Sequence, residues 1–104
     1  MTHTLNLTIF TNDTLEDSAM VILRSLKDDI LTNQEIASFS VAKILSHNDP
    51  GTVSLAIRID FDEQHKDFVN VDAIVEFLSS SFYRNEKFNS TNLVIFPTLM
   101  QQIL

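Results

Sequence analysis

Arg58 stands in the middle of the most regular stretch of the chain, TVSLAIRIDF at 52–61. A guanidinium in that setting has two chemistries open to it. It can hold an anionic ligand, or it can bind a carboxylate across a subunit interface, in both cases through its fork of N–H donors. The plainer alternative is an arginine on a wet sheet face, paired with Asp60 beside it. Asp62, Glu63 and His65 follow close behind and are residue types that bind a divalent cation from one loop. The EF-hand order needs a central glycine and a closing glutamate at fixed offsets, and neither is there. No metal is assigned to these residues, and no other cofactor is expected.

His3, His47 and His65 share no ligand spacing such as H-E-x-x-H, so all three read as solvated loop histidines. The absence of cysteine removes disulfides, thiol catalysis and cysteine-based metal sites. Gly51 is the single glycine. Phosphate-cradling loops need several glycines so that backbone can approach the ligand, which excludes a P-loop and a dinucleotide fingerprint. There is no G-x-S-x-G elbow for a serine nucleophile. No catalytic residue is assigned. The net charge is −7 and the seven basic residues are scattered, which argues against direct binding to nucleic acid. Eight phenylalanines without tryptophan or basic neighbours read as packing, not as a base-stacking platform.

The elements that would position these groups follow from periodicity. In 52–61, Val53, Leu55, Ile57, Ile59 and Phe61 fall at every second position and predict a central strand with one apolar face. Residues 4–11 alternate the same way through Leu5, Leu7 and Ile9. Thr14 and Asp17 fit a capping box at the start of a helix over 14–31. Its stripe runs through Leu15, Ala19, Ile22, Leu23, Leu26 and Ile30. Residues 36–46 read as a second strand, with a phase shift at Lys43-Ile44-Leu45 that implies a bulge. His47-Asn48-Asp49-Pro50-Gly51 reads as the hairpin turn into 52–61. A second helix is predicted over 70–84 from Val71, Ile74, Val75, Leu78 and Phe82. Leu93 to Phe96 reads as a last strand stopped by Pro97. Leu99, Met100, Ile103 and Leu104 then recur at helix-like spacing and predict a short helical tail.

The order is β-α-β-β-α-β plus a tail, in one α+β domain over 1–104. It resembles the ferredoxin-like arrangement, a four-stranded antiparallel sheet with two helices on one face. That resemblance is topological and implies no residue-level function. Residues 37–104, with VIFPTLMQQIL at their end, are also similar to the end of SecB-type chaperones, where a phenylalanine–proline step opens a long helix. That likeness implies a helix from Pro97.

The face away from the helices would carry Asn6, Thr8, Ser40, Ser54 and Arg58, the candidate ligand or interface residues. Exposed apolar residues in the tail mark an interface in such a setting. A homodimer, or a complex with another protein, is expected. Three functional classes are compatible with this pattern. The first is a small non-enzymatic interaction or regulatory module using the open face and tail. The second is an acidic inhibitor or nucleic-acid mimic that enters a basic cleft, which requires carboxylates gathered on one face. The third is a cofactor-free enzyme or small-ligand sensor. No run of about 18 apolar residues exists, so no membrane span is expected. The start of the chain has no signal-peptide pattern, which makes a cytoplasmic location the expectation.

Overall fold

The computed structural model describes residues 2–32, 38–46, 49–62 and 70–104. Four strands and two helices follow in the order β1 (Thr2–Asn12), α1 (Glu16–Leu31), β2 (Ser38–Ile44), β3 (Thr52–Asp62), α2 (Val71–Tyr83) and β4 (Leu93–Gln101). A single 3-10 turn, Asp13–Leu15, leads into α1. The strands form one antiparallel sheet in the order β2-β3-β1-β4, so β1 and β3 are central.

Alternation along the central pair builds the core. Leu5, Leu7 and Ile9 of β1 lie opposite Ile59, Ile57 and Leu55 of β3, and all six are fully buried. The helices bring Ala19, Leu23, Leu26 and Ile30 from α1, and Leu78 and Phe82 from α2, onto that layer. Phe82 meets Phe88 edge to face with ring centroids 5.0 Å apart, which closes the core beneath the connection to β4. Each of the leucine, isoleucine and phenylalanine side chains contributes on the order of 1.5–3 kcal/mol by leaving water. No described helix is long and apolar enough to cross a membrane.

Several local features differ from the sequence reading. Asn12 caps the 3-10 turn that leads into α1, its Oδ1 accepting from the Thr14 N–H at 3.1 Å and from the Thr14 hydroxyl at 2.9 Å, while Leu15 at the start of α1 makes no side-chain cap. Thr14 is therefore a donor inside the turn, and the predicted capping box does not form. The second helix opens on Asn70, whose Oδ1 accepts from the Ala73 N–H at 3.0 Å.

The bulge expected at Lys43-Ile44 is absent, because β2 pairs with β3 in unbroken register through Lys43↔Leu55 and Ile44↔Ser54. Lys43 takes an inward-facing position at the sheet edge and carries its ammonium to Glu16 of α1 at 2.8 Å. A long side chain that reaches back to a carboxylate replaces the bulge. Asp49, Pro50 and Gly51 form the described part of the hairpin turn, in which Thr52 N–H donates to Asp49 O at 3.1 Å. Gly51 has φ +82°, the left-handed region that side chains disfavour. His47 and Asn48 lie outside the described residues.

The predicted helical tail is overturned. Pro97 does not stop the last strand, and β4 continues to Gln101, pairing with β1 from Thr11↔Leu93 to His3↔Gln101. Residues 102–104 follow without regular structure. The helix implied by the SecB likeness fails for the same reason. β4 is an edge strand, where proline is tolerated, and the eleven residues of β1 offer it a full ladder.

Candidate functional site

The side of the sheet away from the helices is assembled from alternate residues of all four strands. The pairing register sets them in rows. At one end a row runs Ile44, Ser54, Phe10, Val94. The next runs Ala42, Ala56, Thr8, Phe96. The third is Ser40, Arg58, Asn6, Thr98, and the fourth is Ser38, Asp60, Thr4, Met100. The first two rows are mainly apolar and the last two mainly polar.

The apolar half is centred on two rings. Phe10 of β1 and Phe96 of β4 meet edge to face with centroids 5.8 Å apart and planes at 78°. Phe96 is 58 % exposed, and Val94 and Met100 are also exposed on the same strand face. Phe10 and Ile44 flank Ser54, which is only 3 % exposed. Ser54 is thus a buried hydroxyl on this side of the sheet, not the accessible ligand group that alternation alone suggests.

The polar half is organised by Asp60. Its Oδ1 accepts from the Thr4 hydroxyl at 2.6 Å and from Arg58 Nε at 3.1 Å. Its Oδ2 accepts from the Ser38 hydroxyl at 2.8 Å. One carboxylate therefore ties β1, β2 and β3 together. Partial burial alone would push the Asp60 carboxyl up. The hydrogen bonds from Thr4, Ser38 and Arg58, with the Arg58 charge, outweigh it and hold the group below its ordinary value. Arg58 keeps 60 % of its side chain exposed beside an open hollow of about 410 Å³. Asn6, Met100 and Gln102 also line this hollow. Among the described side chains the face carries two charges, Arg58 and Asp60, and they pair with each other.

Asn6, Thr8, Ser40 and Arg58 all lie on this face, with Asn6 Nδ2 3.5 Å from Thr8 Oγ1. The four tail residues are divided. Met100 joins the open face opposite Thr4, whereas Leu99 lies opposite Leu5 on the helix side. Ile103 and Leu104 lie beyond the strand and are exposed. Among the described residues, no three histidine or acidic groups come together to hold a metal ion. The weak metal candidates are not part of that statement, because Glu63, His65 and the Asp62 side chain lie outside the described residues.

His3 departs from the sequence reading. It is 8 % exposed, stacks on Phe61 with centroids 5.6 Å apart, and its buried Nδ1 has no hydrogen-bond partner. The signal was present, because His3 continues the every-second-position series of Leu5, Leu7 and Ile9. Phe96 and Val94 were likewise missed as face residues. The alternation of 93–101 carries them, but a proline at 97 reads as the end of a strand.

Of the described carboxylates, one lies on the open side of the sheet and others lie on the helix layer. Asp17, Asp28 and Asp29 lie on α1 among Arg24 and Lys27, Asp72 and Glu76 on α2, and Asp60 on the sheet.

No known protein family matches the chain, and no curated protein matches it by sequence. Solved structures do share its fold. The de novo designed protein Foldit4 superposes with a TM-score of 0.59 at 12% identity, covering 99% of this chain and all of that one. A conserved protein from Methanosarcina mazei Go1 gives a TM-score of 0.57 at 14% identity, covering 96% of this chain and 93% of that one. The designed protein LFR1 1, described as having a ferredoxin fold, gives 0.50 at 20% identity over 99% and 88% of the two chains. At these identities the likeness concerns the fold alone. The chain has an α+β fold with a four-stranded antiparallel sheet and two helices, of the ferredoxin-like kind.

Proposed function

We propose that this protein is a small acidic, non-enzymatic interaction module that self-associates through the sheet face opposite its helices. One observation carries the reading. Phe96, Val94 and Met100 are exposed on a face whose two described charges neutralise each other, in a chain of net charge −7. An apolar, locally neutral patch on an otherwise acidic protein lowers the cost of bringing two copies together there. On this face the one described carboxylate, Asp60, is paired with Arg58, which favours this reading over an acidic mimic that enters a basic cleft through the same face. Arg58 serves such an interface as a polar anchor held in place by Asp60.

The test is solution mass by light scattering over a range of concentrations, for the natural sequence and for Phe96→Glu. A dimer for the first and a folded monomer for the second is the expected result. A monomer at every concentration for the natural sequence would overturn the reading.

A further inference from the structure

We infer that the partner on this face is a second copy of the chain, related by a two-fold axis that runs parallel to the strands between β1 and β3. The inference rests on the self-association proposed above and adds its geometry. An isologous interface must be complementary to itself. A two-fold axis along the strands leaves each row facing the same row of the partner and reverses the strand order. β4 then lies over the partner's β2, and β1 over its β3.

The rows fit this operation by size. Phe96, the most exposed of the described rings, falls over Ala42, one of the two smallest residues in its row. Met100 falls over the exposed Ser38. Val94 meets Ile44, two apolar residues of similar bulk. In the third row Asn6 falls opposite the exposed Arg58 guanidinium, which gives the amide oxygen a charged donor. In every row that holds a large side chain on the β1–β4 half, the β2–β3 half offers a small or matching one. The twist between packed sheets, about 30°, leaves this match closest near the axis.

The other face-to-face operation does worse. A two-fold axis across the strands reverses the row order, so the apolar rows cover the polar ones. It sets Arg58 against Ala56 and Asp60 against the buried Ser54, and so covers the guanidinium with a group that cannot accept a hydrogen bond, whereas the strand-parallel axis gives it the Asn6 amide oxygen. The area is sufficient for the strand-parallel arrangement. Four strands about 4.8 Å apart and about nine residues long at about 3.3 Å each give roughly 570 Å² in projection. Side-chain relief raises the accessible area toward the ~800 Å² per partner of a stable interface.

The chain has no cysteine, so single cysteines can report the axis. Ser40 and Thr98 are exposed and share a row, on β2 and β4. Ser40→Cys and Thr98→Cys proteins would be co-refolded in equal amounts and treated with a bis-maleimide whose reach matches the inter-sheet gap of about 10 Å. Cross-linked dimer in the mixture, with none from either variant alone, is the expected result. Two equivalent cysteines would stand about 17 Å apart, from the strand and sheet spacings, and beyond that reach. Self-cross-linking of Thr98→Cys would overturn the strand-parallel axis and leave the face-to-face reading standing. A dimer by light scattering that cross-links in no combination would also overturn it. A natural-sequence protein that stays monomeric would remove the reading beneath it as well.

Discussion

Phe10 and Phe96 meet edge to face across β1 and β4 on the outer side of the sheet, 5.8 Å between centroids, with Phe96 largely in water. A core phenylalanine is covered by the helices, and a solvated surface would not place two rings together. The pair has different duties at its two ends. Phe10 flanks the buried Ser54, so it belongs to the fold as well as to the face. Phe96 is free to serve a partner.

Truncating each ring separates those duties. Phe96→Ala leaves the stability of the monomeric form close to that of the natural sequence but weakens self-association. Each dimer loses two rings at about 1.5–3 kcal/mol apiece, so Kd rises by on the order of 10²–10⁴. Phe10→Ala weakens association and also lowers stability, by about 1–3 kcal/mol in urea unfolding of the monomeric form. Equal effects of the two variants on fold stability would contradict this assignment.

Association strengthens with salt. Each copy carries a net charge of −7, and the two described charges of the face pair with each other, so long-range repulsion is the electrostatic force that opposes pairing. Sedimentation equilibrium at low and moderate sodium chloride should show a lower Kd at the higher salt. A Kd that rises with salt would mean that charged contacts drive the interface.

Asp60 makes stability depend on acid pH. Its folded pKa lies below the ordinary value, so the folded state favours the ionised form. That contribution is fully present above the unfolded pKa of about 3.9 and is lost as pH falls through the lowered folded pKa. Urea unfolding of the natural sequence should therefore lose stability as pH is lowered through that window. Asp60→Asn should lose less over the same window. At neutral pH the variant starts lower by about 1–3 kcal/mol, since Thr4, Ser38 and Arg58 lose a shared charged acceptor. Parallel pH curves for the two proteins would refute the role given to this carboxylate.

His3 carries a buried, unpartnered Nδ1. His3→Phe keeps the stacking on Phe61 and removes the unsatisfied atom, so it is neutral or stabilising by up to about 1 kcal/mol. His3→Ala removes the ring and costs about 2 kcal/mol or more. Thermal melts of both variants decide the matter. Destabilisation by His3→Phe would show that the imidazole nitrogen makes a bond the fold needs.

Gly51→Ala costs about 1–2 kcal/mol through its φ of +82°. An added Cβ would meet nothing within 4 Å, so the penalty is backbone strain and not a clash. Gly51→Asn, which tolerates that conformation better, should cost less in the same melts.

Residues 98–101 pair with β1, so removing 98–104 would strip the ladder from half of a central strand's neighbour. Point changes at Phe96 or Met100 probe the face without unmaking the sheet.

Local periodicity in the sequence determined the two central strands, both helical stripes and the hairpin turn at Gly51. A period of two or of 3.6 is a property of adjacent residues and survives without knowing their neighbours in space. It also marked Arg58, Asn6, Thr8 and Ser40 as sharing a face. The tertiary structure alone decided the rest. The spacing of Leu99, Met100, Ile103 and Leu104 suits a helix, yet 98–101 are extended, because the length of β1 offers them backbone partners. Ser54 alternates as an outward residue, yet Phe10 and Ile44, from two other strands, flank it in its row. Asp60 gathers donors from positions 4, 38 and 58. Phe10 and Phe96 stand 86 positions apart in the chain and 5.8 Å apart in the fold. Contacts of that kind follow from strand order and register, which are set by pairing energies summed over the whole sheet and not by any one stretch.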